Sequence, residues 1–246
     1  MSVSKFIGRI CVATLLSLAG AGMTHAAACK EEGILSATTP QEYTKPHMVR
    51  KAENLLGDVP SKADTILLGD SLLERWPADQ VQQQFGDKQV WNFAIGGSRT
   101  EHILWLMNEL GPSSLKPKEV IVLIGTNNLS QKKLQPCAII AGIEKVVMEA
   151  RNKWPSAALR VMGIPPRGPA FHFRDKGRLS INENIKFWIA EVPNARYFEV
   201  DNQTITCGLY QKDVENITDC QNYADDFGHF ERPGYDVIYN ALRKSQ

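Results

Sequence analysis

The chain has 246 residues, 43% of them hydrophobic and 22% charged, which suffices for one ordinary buried core, and its formal net charge is +1. A balanced charge with no basic stripe and no polybasic run excludes an electrostatic footprint for nucleic acid or an anionic membrane. It favours a small neutral partner.

The chain begins "MSVSKFIGRICVATLLSLAGAGMTHAAACKEE": Lys5 and Arg9, an apolar run from Ile10 to about Ala21, then small residues. This order reads as a secretory signal peptide, too short in its apolar part to span a bilayer, with cleavage expected after Ala26 or Ala28. Residues 1–28 are therefore set aside, and 29–246 are read as one secreted or periplasmic domain without a transmembrane segment. The small residues ahead of Cys29 also loosely resemble a bacterial lipoprotein signal, which would anchor the chain through that cysteine, although the leucine expected before them is missing. Export places Cys29, Cys137, Cys207 and Cys220 in an oxidising compartment. A Cys207–Cys220 bridge closing a short polar loop is the preferred pairing, with Cys29–Cys137 as the second. With neither a CxxC pair nor an HExxH, no metal site is expected, and nothing in the chain calls for a cofactor.

After a polar lead-in to about Ser61, apolar strand-like runs alternate with helical patterns. Strands are expected at 64–69, 89–94, 119–125, 159–164 and 196–201, and helices at 72–84, 99–110, 176–191 and 232–244. A further helix starts beside Pro136, where Ile139, Ile143, Val146, Val147, Ala150 and Trp154 recur at helical spacing. Such alternation implies a five-stranded parallel sheet with helices on both faces. Residues 202–230 have no clear period, so they are read as a long loop that is functional or tied down by its two cysteines.

Ligands of an open parallel sheet bind at the carboxyl ends of its strands. There the first strand runs into "GDSL" with Ser71, the second into "NFAIGGSRT" with Gly96 and Gly97, and the third into "GTNN" with Asn127 and Asn128; "DDFGHFERPGY" places Asp226 three residues before His229. A hydroxyl nucleophile needs a base, a group that orients the base, and donors for the developing oxyanion. Ser71 fits the nucleophile, His229 the base and Asp226 its orienter, with the Ser71 and Gly97 N–H groups and the Asn127 amide as donors. Taken by itself, "GDSL" reads first as the start of a helix, with Asp70 or Ser71 as its N-cap, because capping serines far outnumber catalytic ones.

The blocks "GDSL", "NFAIGG", "GTNN" and "DFGH", in this order, resemble the SGNH or GDSL hydrolase family, and the text around them is similar to the catalytic subunits of platelet-activating-factor acetylhydrolase. The resemblance spans about residues 64–243 and includes "PPRG". It implies a flavodoxin-like three-layer α/β/α sandwich and a cofactor-free ester hydrolase, with Ser71, Asp226 and His229 as triad and Ser71, Gly97 and Asn127 as oxyanion hole. Its spacing selects Asp226 over Asp225. Many relatives carry aspartate where this chain has Ser98 followed by Arg99, which leaves the bonding of that loop open.

The substrate stays open among O-acetyl groups of carbohydrates, lysophospholipids or other lipid esters, and thioesters. A noncatalytic carbohydrate-binding module on the same fold is the rival from another class, and a nucleotide-binding domain lacks GxGxxG and a P-loop. Trp76 and Trp105 are read as core rather than pocket, Arg167 as either an anion contact or a loop salt bridge, and His47, His102 and His172 as structural or exposed. The triplets starting at Asn128, Asn202 and Asn216 match glycosylation acceptors.

Overall fold

A computed structural model describes residues 29–212 and 220–245. The expected signal peptide and the triplet at Asn216 lie outside the described residues. Five strands, β1 (Thr65–Gly69), β2 (Val90–Ala94), β3 (Glu119–Leu123), β4 (Ala158–Met162) and β5 (Ala195–Phe198), pair in the order β2-β1-β3-β4-β5, and every pairing is parallel. That order is the flavodoxin-like one expected, with its switch point between β1 and β3.

All five positions of β1 and of β3 are buried, as central strands covered on both faces must be. Alternate residues feed two apolar layers: Ile66, Leu68, Val120 and Val122 face one, and Leu67, Ile121 and Leu123 the other. Gly69 is sterically required, because a Cβ there would lie 2.1 Å from the Leu123 carbonyl oxygen.

The strands end earlier than the apolar runs suggest, since Ile124–Gly125, Gly163–Ile164 and 199–201 leave the sheet. Two larger differences concern helices. The expected helix over 72–84 is broken into α3 (Ser71–Glu74) and α4 (Ala78–Phe85), because Pro77 cannot continue a helix and bars its predecessor from helical geometry. The supposed polar lead-in instead holds α1 (Glu31–Thr38) and α2 (Pro46–Gly57). Met48, Val49, Ala52, Leu55 and Leu56 give α2 an apolar face that joins the same layer as Ile66, a helical spacing legible in the sequence.

The remaining main elements are α5 (Thr100–Glu109), α6 (Thr126–Leu129), α7 (Pro136–Lys153), α8 (Asp175–Ile189), α9 (Asn202–Ile205) and α10 (Arg232–Lys244). Trp76 is buried against Tyr235, and Trp105 packs edge-on to Tyr43, so both serve the core. Among the described residues no helix is long and apolar enough to cross a membrane.

Both expected disulfides form, Cys29–Cys137 with Cα atoms 6.0 Å apart and Cys207–Cys220 at 5.4 Å. They close loops of very different length, with sequence separations of 108 and 13. Chain entropy then assigns about 4.7 kcal/mol to a bridge closing roughly 100 residues and about 3 kcal/mol to one closing roughly 15. Urea unfolding should show a larger loss for Cys29→Ala/Cys137→Ala than for Cys207→Ala/Cys220→Ala; the reverse order would contradict this account.

Candidate active site

The register makes the carboxyl ends of three strands level: Gly69 is paired with Ala94 on one side and Leu123 on the other. The segments that follow, 70–71, 95–97 and 124–127, therefore start side by side. Asp70 resolves which residue caps α3. Its Oδ1 accepts from Leu72 N at 3.0 Å, so the Ser71 hydroxyl has no capping duty. Ser71 is 8% exposed at the floor of a cleft of about 360 Å³ that Gly97, Asn127 and His229 also border.

His229 reaches this cleft from the long loop, which is strapped down at several points. Tyr223 Oη donates to Pro166 O at 2.6 Å, Asn222 Nδ2 donates to Thr204 O and Ile205 O, and Cys207 is bridged to Cys220. A tight turn follows in which Asp226 Oδ1 accepts from Gly228 N at 2.8 Å and His229 N at 2.9 Å. The same carboxylate meets His229 Nδ1 through Oδ2 at 2.5 Å, and His229 Nε2 stands 2.9 Å from Ser71 Oγ. Burial would raise the Asp226 carboxyl, but the bonds from the His229 ring and from the Gly228 and His229 N–H groups prevail and hold it down at about 2. An ionised Asp226 accepts from Nδ1–H, which leaves the Nε2 lone pair for the serine proton. Asp225 is exposed and borders a separate hollow beside the Cys207–Cys220 bridge.

The two expected donor segments also border the cleft, and each has its own support. Gly97 adopts φ +81, a left-handed conformation that favours glycine, and neither its N–H nor that of Ser71 donates to protein among the described residues. Asn127 Nδ2 spends one proton on Ser98 O at 2.9 Å, which leaves the other for a ligand. Ser98 Oγ bonds Tyr43 Oη at 2.9 Å, so a tyrosine just ahead of α2 stabilises the loop that lacks the aspartate of many relatives. Gly96 N donates to Glu74 Oε2 at 2.9 Å.

Arg167 forms no salt bridge among the described residues. Its Nη2 donates to Thr126 O at 2.9 Å and to Ser130 Oγ, with the guanidinium 4.5 Å from the Phe173 ring, and it thereby braces the turn that carries Asn127. Asn128 is fully buried; it accepts from Thr100 N and donates to Thr100 Oγ1 and Glu101 Oε2, which rules out its triplet as a glycan acceptor in the folded chain. His102 Nδ1 accepts from Arg99 N, and burial, chiefly, lowers its pKa to about 4. His47 stands exposed at the cleft mouth and His172 is exposed elsewhere. Sequence reasoning missed Lys45, Met48, Lys51, Glu74 and Arg75 as cleft residues; the amphipathic spacing of α2 was the one available signal. A larger hollow of about 830 Å³ beside β4 and β5 holds no serine–histidine pair. Among the described residues no three His, Cys, Asp or Glu side chains are gathered to hold a metal ion.

A sequence profile of the GDSL-like Lipase/Acylhydrolase family matches residues 63–237. The chain belongs to this family. It is accordingly an ester-bond hydrolase. Over 181 residues it is 30% identical to platelet-activating factor acetylhydrolase IB subunit alpha1 of Rattus norvegicus, covering 73% of each chain. Its fold resembles that of a GDSL-like lipase from Bacteroides thetaiotaomicron (TM-score 0.59, 13% identity, 79% of this chain and 95% of the other). It also resembles the fold of a family 3 carbohydrate esterase from Clostridium thermocellum (TM-score 0.50, 16% identity, 75% and 95%).

The "GDSL" aspartate itself is under electrostatic load. Asp70 is fully buried, Oδ2 has no partner among the described residues, and burial raises the carboxyl to about 7 against the pull of Leu72 N–H and Arg167. The unfolded chain loses this proton near 3.8 while the folded chain keeps it to about 7, so folding binds a proton between those values and stability falls as pH rises through them. Each pH unit in that window should cost at most about 1.4 kcal/mol. Asp70→Asn keeps the capping oxygen and removes the titration. Urea unfolding at pH 4.5 and 7.5 should therefore show the wild type losing stability relative to the variant; a constant difference would refute the assignment.

Proposed function

We propose that the chain is an exported serine esterase, one hydrolase domain over residues 29–246 behind a signal peptide, that removes small acyl groups through an acyl-enzyme on Ser71. The observation that carries this reading is the 2.9 Å approach of His229 Nε2 to Ser71 Oγ, with Asp226 on the other ring nitrogen. His229 takes the hydroxyl proton as Ser71 Oγ bonds to the ester carbonyl carbon. The carbonyl oxygen becomes an oxyanion that the Ser71 and Gly97 N–H groups and the second Asn127 amide proton stabilise. Collapse of the tetrahedral species breaks the bond to the alcohol, which leaves with the proton from His229. Water then attacks the acyl-Ser71 ester, loses its proton to His229 and releases the carboxylic acid, while the proton returns to Ser71.

Export is supported by the N-terminal sequence pattern and by the two disulfides, and it favours O-acetyl groups of carbohydrates or lipid esters as substrates over cytoplasmic thioesters. A fluorophosphonate probe should label Ser71 in the intact protein, and Ser71→Ala should abolish turnover of 4-nitrophenyl acetate with an unchanged melting curve. Undiminished turnover in that variant would sink the assignment. Asn127→Ala should lose on the order of 10² to 10³ in kcat, the cost of one oxyanion donor; a loss below tenfold would remove Asn127 from the hole.

A further inference from the structure

The mouth of the Ser71 cleft carries a concentration of positive charge that the near-neutral total conceals. Lys45 ahead of α2, Lys51 within it and Arg75 at the end of α3 all border the cleft, against a single bordering carboxylate, Glu74. Three cations and one anion leave two formal positive charges at one opening, whereas the whole chain sums to +1. Glu74 is already engaged: Oε2 accepts from Gly96 N, and Oε1 lies 3.7 Å from Lys51 Nζ. Lys45 and Arg75 are exposed and form no ion pair among the described residues.

These charges ride on fixed backbone. α2 is anchored by buried Met48 and Ala52, Met48 lies against Gly97, and Tyr43 just ahead of the helix bonds Ser98. Lys45 and Lys51 precede residue 63, where the family match begins. A cleft with an excess of one sign of charge raises the local concentration of the opposite sign.

Resting on Ser71 as nucleophile, we infer that this enzyme selects esters that carry a carboxylate or phosphate beside the scissile acyl bond, and that Lys45, Lys51 and Arg75 recognise that anion. Three acetates of one aryl scaffold test it: methyl 3-acetoxybenzoate (neutral), 3-acetoxybenzoate (carboxylate) and 3-acetoxyphenyl phosphate. Comparing wild type with Lys45→Glu/Arg75→Glu on each ester cancels intrinsic reactivity. The anion-over-neutral ratio of kcat/KM should be at least about threefold higher in the wild type, mainly through KM, as expected for partly exposed charge pairs. That advantage should shrink between 20 mM and 500 mM NaCl. A gain for one anion alone identifies carboxylate or phosphate as the recognised group. A ratio that is the same in wild type and variant, and indifferent to salt, overturns the inference while leaving the esterase reading intact. Failure to hydrolyse any of the three, or equal hydrolysis by Ser71→Ala, would sink the esterase reading and this inference with it. Lys45→Gln/Arg75→Gln supplies the same comparison should charge reversal prevent folding.

Discussion

The arrangement depends on the parallel pairing that holds β1 between β2 and β3 with Gly69, Ala94 and Leu123 level. This register requires Gly69, since any side chain would strike the Leu123 carbonyl, and it lets three separate turns open at one height. Each turn contributes one part of the cleft: a serine heading a helix, a glycine in left-handed conformation, and an asparagine within a short helix. A slip of one residue in either pairing would reverse the faces of a strand and separate these groups by several ångströms.

The fourth part comes from the least regular stretch of the chain. His229 owes its position to local bonds rather than to a strand end: the disulfide, the Tyr223 anchor and the turn closed on Asp226. The same turn keeps Asp226 ionised, so the bonds that shape the backbone also hold the imidazole in the orientation that faces Ser71. Asp70 presents the opposite balance. Its carboxyl is buried to cap α3 and is driven toward the neutral form.

Much of the fold was legible because a buried parallel strand and an amphipathic helix each write a local period into the sequence. β1 and β3 stand out as uninterrupted apolar runs, and α7 shows its buried face as a helical repeat. The break at Pro77 was written there too, but Leu72, Leu73 and Trp76 on one side and Val81 and Phe85 on the other continued the apolar pattern and masked it. The segment before Ser61 looked polar because only the narrow face of α2 is apolar, and its contribution to the cleft is invisible without the partner loop at Gly97. Net charge misled in the same way, since a sum over the whole surface says nothing of where Lys45, Lys51 and Arg75 gather.

By itself, then, the sequence determined the alternating α/β plan, the strand-end location of Ser71, Gly97 and Asn127, the Asp226–His229 spacing and an even number of cysteines after the signal, because each of these is written in neighbouring residues or in a count. Only the tertiary structure decided that Asp70 rather than Ser71 caps α3, that Arg167 braces the Asn127 turn, and that α2 lays a basic rim across the cleft. Those outcomes turn on contacts between segments far apart in the chain, set by strand order and register, which no local period encodes.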